Sequence, residues 1–403
     1  MTNYKPTILK HALKNAVEHD GKAQQGAVIN KVIGEHPEAK SDMANLGKQT
    51  AEVVNEINAM TQDHQKAELL SLWPNALEKK PEPERQLKPL PGNTSHVVVR
   101  FAPNPNGPLT LGGSRVLILN DEYAKKYNGT LHLRFDDTDP QNKKPLPEAY
   151  TWIQEEAKWL GCNVSKVYIA SDHMEDYYKI AEQLLEKGDM YICTCPAEEF
   201  SELKNNGKAC PCRPNSIAAN KALWKQMHSG EAKKGAAVAR IKTDIKLKNN
   251  ALRDWPAFRI ATEPHPRTGT KYRVWPMLDF AGAVLDKMNG ITHIIRGKDL
   301  MSSTDRQTIM YKMLGWAYPE TMYVGRVAIH EFGRLSTSEI KQGIADGRFT
   351  GWDDPRLPTL QALIKAGEIK PEALREFWLE FGISERDISA DLQILESINR
   401  KLT

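Results

Sequence analysis

Three groups of residues in this chain have types and spacings that could do chemistry. The first is Arg100-Phe101-Ala102-Pro103-Asn104-Pro105-Asn106-Gly107-Pro108-Leu109-Thr110-Leu111-Gly112-Gly113. Its glycines would let a ligand approach the backbone. A loop of this kind between a strand and a helix also puts free helix N–H groups where phosphate binds. It matches neither GxGxxG nor the Walker loop, so an ordinary Pro/Gly-rich connection is the competing reading. The second group is Arg134-Phe135-Asp136-Asp137-Thr138-Asp139. Its carboxylates could hold an amino group or a metal; they could equally cap a helix or pair with Arg134. The third is two C-x-C pairs, Cys193 with Cys195 and Cys210 with Cys212, separated by fourteen residues. Four thiolates make a tetrahedral zinc site, with reduced structural thiols as the alternative. Cys162 stands apart and reads as a packed residue.

The elements that must position these groups follow from the apolar pattern. Val97 to Phe101 is a short β-branched run, Ser114 to Tyr127 reads as a helix, and Leu131 to Phe135 as a second strand. Glu148 to Leu160 is amphipathic, and Val167 to Ala170 is a third strand. Strand, loop, helix, strand, helix, strand is the order of a parallel sheet with crossover helices. Residues 1–78 read as a helical domain, with Leu9, Leu13, Ala16 and Val17 on one face and Met43, Leu46, Val53, Ile57 and Met60 at helical steps. Pro81, Pro83, Pro89 and Pro91 make residues 79–95 a linker.

A chain of 403 residues has room for roughly two to four domains. With 40% hydrophobic and 26% charged residues it is neither disordered nor fibrous. No apolar run approaches the roughly 20 residues of a membrane span, and no signal peptide is visible. Five cysteines do not make a disulfide scaffold. The expectation is a soluble cytoplasmic protein with no membrane association. The net charge of +4 hides an uneven distribution. Residues 191–275 hold 16 Lys and Arg against 7 Asp and Glu, a local +9. That block suits a polyanion partner such as nucleic acid, or else a solvated lysine-rich surface.

Taken together, the first two groups resemble the class I glutamyl- and glutaminyl-tRNA synthetases. The resemblance runs on through Gly290-Ile291-Thr292-His293-Ile294-Ile295-Arg296-Gly297-Lys298-Asp299, Arg334-Leu335-Ser336-Thr337-Ser338 and Gly351-Trp352-Asp353-Asp354-Pro355-Arg356-Leu357-Pro358. Ala12 to Val17 and Gly34-Glu35-His36-Pro37 look like the helical extension of the archaeal glutamyl enzymes. The resemblance implies an α/β fold with a split Rossmann-like catalytic domain. Its halves would be 96–190 and 276–350, with an acceptor-binding insertion at 191–275 and a helical stem-contact segment at 351–403. It implies a monomer that attaches glutamate to tRNA through glutamyl-adenylate, with ATP and Mg2+ as co-substrates and the tRNA acceptor stem as partner. Glutamate would be held by Arg100, Ala102, Asn104, Asp136 and Arg296. Arg100 would meet a carboxylate and Asp136 the α-ammonium. Arg296 matches the position that separates glutamate from glutamine specificity. ATP would meet Pro103, Gly107, Thr110, Gly112, Gly113, Leu335 and Ser336, and the catalytic signatures would be Thr110, Gly112 and Gly113 with Arg334, Ser336 and Ser338. The cysteine set falls where bacterial relatives bind zinc.

Several positions depart from the family. The first signature usually reads His-x-Gly-His and here reads Thr110-Leu111-Gly112-Gly113. Losing one such donor typically costs about 10²–10³ in rate. The second signature, Lys-Met-Ser-Lys-Ser, here has Thr337 in place of its second lysine, and Glu339 follows. Leu278 stands where a tyrosine is usual and Gly282 where bacterial relatives carry asparagine. The chain stops where β-barrel anticodon-binding domains would begin, so the expectation is a synthetase sequence lacking that domain, either naturally short or a fragment of a longer one. A catalytically weakened tRNA-binding paralogue is the alternative. Another is a short enzyme that glutamylates tRNA without reading the anticodon.

Overall fold

The computed structural model describes residues 2–77, 87–332 and 336–402. It separates into two units, Met1–Arg85 and Gln86–Thr403. In the first, four helices, α1 (Lys5–Glu18), α2 (Gln25–Glu35), α3 (Met43–Asn58) and α4 (Gln62–Leu72), enclose Ile8, Leu13, Val28, Val32, Leu46, Ile57 and Leu69. Gly47 sits inside α3. Of the proline-rich stretch, residues 79–86 lie outside the described residues. The remainder is mostly exposed but anchored at one point: Leu90 is buried, its N–H donates to the Tyr127 hydroxyl at 2.9 Å, and the Pro91 carbonyl lies 2.9 Å from His293 Nε2.

The second unit is built on a parallel sheet. Its first half contains β1 (Val98–Phe101), α5 (Leu111–Lys126), β2 (Thr130–Phe135), α6 (Ala149–Trp159), β3 (Val164–Ile169) and α7 (Met174–Lys187). The strand β3 starts earlier than the sequence pattern suggests, and a short 3-10 turn replaces its end at Ala170–His173. β1 is buried along its whole length, as its run of valines requires. The chain then leaves the sheet for a separate antiparallel one, β4 (Met190–Cys193), β5 (Val238–Ile241), β6 (Pro256–Ile260) and β7 (Val274–Pro276). Two helices, α8 (Ala197–Asn205) and α9 (Ile217–Ser229), lie between β4 and β5. Trp224, Met227, Trp255, Phe258 and Trp275 fill its core. The chain returns through α10 (Leu278–Met288), β8 (His293–Gly297), α11 (Met301–Leu314) and β9 (Glu320–Val324).

The sheet order is β3-β2-β1-β8-β9. β1 leads outward to β2 and β3 on one side, and β8 to β9 on the other. The order therefore reverses between β1 and β8, and a parallel sheet opens a ligand crevice beyond the C-terminal ends of its strands at such a point. Arg100 lies near that end of β1 and Arg296 near that end of β8.

The last segment is not purely helical. It contains β10 (Val327–Ile329), α12 (Thr337–Ala345), α13 (Leu360–Ala366), α14 (Pro371–Phe381), β11 (Ile388–Ala390) and α15 (Leu392–Lys401), and β10 pairs with β11 in parallel. Gly325 permits this crossing, because a Cβ there would lie 1.9 Å from the Arg386 carbonyl oxygen. α14 packs on α5: Trp378 Nε1 donates to Ser114 Oγ at 2.9 Å, and Arg375 pairs with Asp121 at 2.6 Å. Among the described residues no helix is long and apolar enough to cross a membrane.

Candidate active site

A cavity of about 480 Å³ opens at the β1/β8 reversal, lined by Arg100, Ala102, Asn104, Asp136, Arg296 and others. All five sequence-derived amino-acid-binding candidates thus share one space. Arg100 Nε donates to Asp286 Oδ1 at 3.2 Å. Arg134 lies between two carboxylates: it donates to both oxygens of Asp136, at 2.6 and 3.1 Å, and to Asp286 Oδ1 at 2.6 Å. Asn104 Nδ2 donates to the Asp136 carbonyl at 2.7 Å and so ties the loop after β1 to the end of β2. Arg296 Nη2 donates to Gln307 Oε1 at 2.8 Å and to the Tyr318 hydroxyl at 2.5 Å, and that hydroxyl donates to Gln307 Oε1 at 2.7 Å.

The electrostatics of this cluster are those of a receptor for an anion. Three buried guanidiniums, Arg100, Arg134 and Arg296, face the buried carboxylates of Asp136 and Asp286. Lys143 and Asp299, which line the same cavity, offset each other, which leaves one net positive charge. The rim pairs, Arg259 with Asp139 and Arg306 with Asp279, balance each other. Burial pushes the Asp286 carboxyl up, but Arg100 and Arg134 outweigh it and hold Asp286 below its ordinary range. At Asp136 burial wins over Arg134 and Arg100, and its pKa is raised. Burial lowers that of Arg296. Asp286 Oδ2, Arg296 Nε and Asn104 Oδ1 are buried without a hydrogen-bond partner among the described residues. Such atoms are costly unless a ligand reaches them.

Sequence reasoning named Arg134 only as a partner for the carboxylates and missed Asp286, Gln307 and Tyr318. Asp286 had a signal. It is a carboxylate on a helix, Leu278–Met288, whose interior from Phe280 to Leu285 is wholly apolar, and a buried charge needs a partner. The small residue at 282 also finds its reason here. A Cβ on Gly282 would lie 3.0 Å from Gln307 Nε2 and 3.2 Å from Arg134 Nη2, so a larger side chain would displace the central guanidinium. Leu278 lines the same cavity.

A second cavity, about 580 Å³, is lined by Thr110, Gly112, Arg115, Asp299, Ser336 and Glu339 among others. A third, about 370 Å³, lies between the loop after β1 and the start of α12, and includes Pro103, Gly107, Thr110, Gly113, Ser336, Thr337 and Ser338 in its walls. The two share Thr110 and Ser336. Arg334 and Leu335 lie outside the described residues. Thr110 is the N-cap of α5, its oxygen accepting from Gly113 N at 3.2 Å, which leaves its O–H free to donate. Ser336 caps α12 in a reciprocal box: Oγ accepts from Glu339 N at 3.2 Å, and Glu339 Oε2 accepts from Ser336 N at 2.7 Å. A carboxylate therefore covers the start of α12. Behind the first loop, buried Glu156 Oε2 accepts from Leu109 N at 2.8 Å. The next stretch of that loop is clamped by Leu111 N to the Pro358 carbonyl at 2.9 Å and Leu360 N to the Leu109 carbonyl at 2.8 Å.

Of the remaining acidic residues, Asp137 is structural. It is fully buried and accepts from Ser171 N, Ser171 Oγ and the Tyr150 hydroxyl, each at 2.7 Å. The cysteines converge. Cys193 Sγ lies 3.9 Å from Cys210 Sγ, Cys195 Sγ lies 3.6 Å from Cys212 Sγ, and all four sulfurs fall within 4.8 Å of one another. A tetrahedral ion with bonds of about 2.3 Å needs sulfurs about 3.8 Å apart. The donor set and its spacing fit zinc. Thr194 N donates to Cys212 Sγ at 3.4 Å, an interaction that favours a thiolate.

Residues 96–402 match the family described as tRNA synthetases class I (E and Q), catalytic domain. Among curated proteins, the glutamate–tRNA ligase of Methanocella arvoryzae is 49% identical over 404 residues, covering 98% of this chain and 70% of that protein. The glutamate–tRNA ligases of Methanosarcina mazei and Thermococcus onnurineus are 48% and 46% identical, over 98% and 99% of this chain and 70% of each. Among solved structures, a glutamate tRNA ligase from Elizabethkingia meningosepticum in complex with its amino acid superposes with a TM-score of 0.54 at 19% identity, covering 76% of this chain and 69% of that one. That likeness bears on the fold.

Proposed function

Because the chain belongs to the class I tRNA synthetases for glutamate and glutamine, we propose that it attaches glutamate to tRNA through glutamyl-adenylate. ATP and its magnesium are the co-substrates of this family. The observation that carries the amino-acid assignment is the single net positive charge of the buried cluster. Glutamate, with two carboxylates and one ammonium, brings one net negative charge. Its α-ammonium is assigned to Asp136, whose oxygens it would share with Arg134. One carboxylate is assigned to Arg100. The side-chain carboxylate is assigned to Arg296, whose unpartnered Nε is available to it. An amide there would leave a buried guanidinium partly unpaired, which is how the site would reject glutamine.

Thr110, Gly112, Gly113, Ser336 and Ser338, with Pro103 and Gly107, are assigned to ATP. The 580 Å³ cavity takes the nucleoside and the 370 Å³ cavity the reacting phosphates. The insertion at 191–275 is assigned to the tRNA acceptor end on the strength of its local +9. Binding there would weaken steeply with salt as counterions are released. The four cysteines are assigned to one structural zinc. Zinc would supply folding energy to a segment whose own apolar cluster is small, Tyr191 and Phe200 with the cysteines.

The deciding experiment is the charging of purified tRNA with labelled glutamate and ATP. Ligation of glutamate and not glutamine supports the reading. The carboxylate over α12 and the Thr110 substitution favour one rival, a tRNA-binding paralogue with little catalysis. It predicts salt-sensitive tRNA binding with no charging and no ATP–pyrophosphate exchange.

A further inference from the structure

The 370 Å³ cavity is where the two family signatures face each other, and it is poor in positive charge. Thr110 offers a hydroxyl, Gly113 offers backbone, and Ser336, Thr337 and Ser338 are neutral. The adjoining cavity sets Arg115 and Arg326 against Asp299, Glu339 and Asp387, so it brings no surplus of positive charge. Among the described residues, one cationic side chain lines the 370 Å³ cavity itself: Lys143. The same side chain lines the 480 Å³ cavity that holds Arg100 and Arg296. Lys143 thus stands at the junction between the amino-acid space and the phosphate space.

Two features keep its ammonium available. Lys143 is exposed, and among the described residues no carboxylate pairs with it. The acidic residue nearest in sequence, Asp139, is already engaged. Arg259 pairs with it, and its Oδ1 accepts from Gln141 N at 3.1 Å and Asn142 N at 2.8 Å. These last bonds fold residues 139–142 into the turn that presents Lys143. The carboxylate that could have neutralised Lys143 fixes its position instead.

We propose that Lys143 contacts the reacting phosphate and supplies positive charge where the second signature has Thr337 in place of a lysine. This rests on the glutamate-activating reading given above. In that step an oxygen of the glutamate α-carboxylate forms a bond to the α-phosphorus of ATP. The bond from that phosphorus to the bridging oxygen breaks, and pyrophosphate leaves with the electron pair. No proton has to move. Negative charge shifts onto the departing phosphate, and an ammonium between nucleophile and leaving group stabilises that shift more than it stabilises bound substrate. A lysine suits the position because its charge is compact and its stem flexible.

The test is ATP–pyrophosphate exchange, run with tRNA present, by the full chain carrying Lys143→Met or Lys143→Arg, with tRNA binding measured alongside. K143M is expected to lower exchange roughly 10²-fold, as loss of one charge-stabilising donor does. The loss should fall in kcat and the KM for ATP, with little change in the KM for glutamate, and K143R should restore most of it. tRNA binding should be unaltered, which reports that the variants fold. Exchange by K143M at the wild-type rate, or a loss confined to the KM for glutamate, overturns the assignment while leaving glutamate activation intact. Absence of exchange in the wild-type chain overturns both.

Discussion

The cavity at the ends of β1 and β8 holds its charges in a closed network, whereas the loops facing the nucleotide hold very few. In the first, Arg100, Arg134 and Arg296 are fixed by Asp136, Asp286, Gln307 and Tyr318, all on regular elements or directly beside them. In the second, Thr110 and Ser336 cap helices and keep only neutral hydroxyls to offer, and the one carboxylate, in the capping box, carries the same sign of charge as phosphate. Recognition of the amino acid depends on mutual positioning of buried groups, so a single replacement there breaks several contacts. Stabilisation of phosphate charge depends on how many cations can reach it, so it can be moved from one residue to another. The charged residues Arg100, Asp136 and Arg296 match the family pattern, with departures beside them at Leu278 and Gly282, whereas in the loops the signature residues themselves are altered.

This contrast is broken most forcefully at its centre. Arg134→Met should leave Asp136 buried with no guanidinium bonded to it and Asp286 with Arg100 alone, at a cost of about 3–5 kcal/mol in stability. Urea unfolding should show the lowered midpoint, and glutamate activation should vanish with it. A midpoint like the wild type's would mean that the network is not the rigid part of the site. Arg296→Cys removes only the discriminating guanidinium. Activation of glutamate is expected to fall roughly 10²–10³-fold, equivalent to about 3–4 kcal/mol, while ATP binding by calorimetry stays near wild type. Unchanged glutamate kinetics would sink the assignment.

Glu156 tests the loop side. Burial pushes its carboxyl up to about 8, against the lowering effect of the Leu109 N–H, and its second oxygen has no partner among the described residues. Its folded pKa lies above the unfolded value of about 4.5. The proton it retains therefore contributes stability that is full below about pH 4.5 and is lost as pH rises towards 8. Glu156→Gln keeps an acceptor for Leu109 and removes this titration. The difference in unfolding midpoint between variant and wild type should grow in the variant's favour from pH 5 to 8 and level off above. A constant difference would place the titration elsewhere. The smallest effect is expected at Glu339→Gln. Glutamine can still close the capping box, and loss of the negative charge should raise ATP–pyrophosphate exchange a few-fold. A fall in exchange would mean that the carboxylate serves the reaction.

Much of the fold was legible because the signals are local. Val97 to Phe101, the Pro/Gly loop and the apolar pattern from Ser114 announce strand, turn and helix in succession, although the helix begins earlier, at Leu111, where Thr110 caps it. The five amino-acid-binding candidates were legible through the motifs that contain them. What was not legible is who holds them. Asp286, Gln307 and Tyr318 reach Arg100, Arg134 and Arg296 only after α10, α11 and the segment before β9 pack against the sheet. No spacing within a motif encodes that packing. β11 was missed for a related reason: three residues, Ile388–Ala390, form a strand only because β10 lies alongside.

The reversal of strand order has a consequence for the chain as it is made. β1 pairs with β2 almost as soon as both exist, but its other neighbour begins far downstream: Val98 bonds to Thr292 across 194 residues. At ordinary synthesis rates of about 5–20 residues per second, roughly 10–40 s separate their emergence. During that interval the antiparallel sheet of the insertion, complete by residue 276, can close on its own. The central strand meanwhile keeps an open, apolar edge, the kind that invites pairing with the wrong partner. Arg100 and Arg134 also exist for most of that time without Asp286. The growing chain carries two guanidiniums destined for a dry interior, and they stay hydrated on its surface until α10 arrives to take them in.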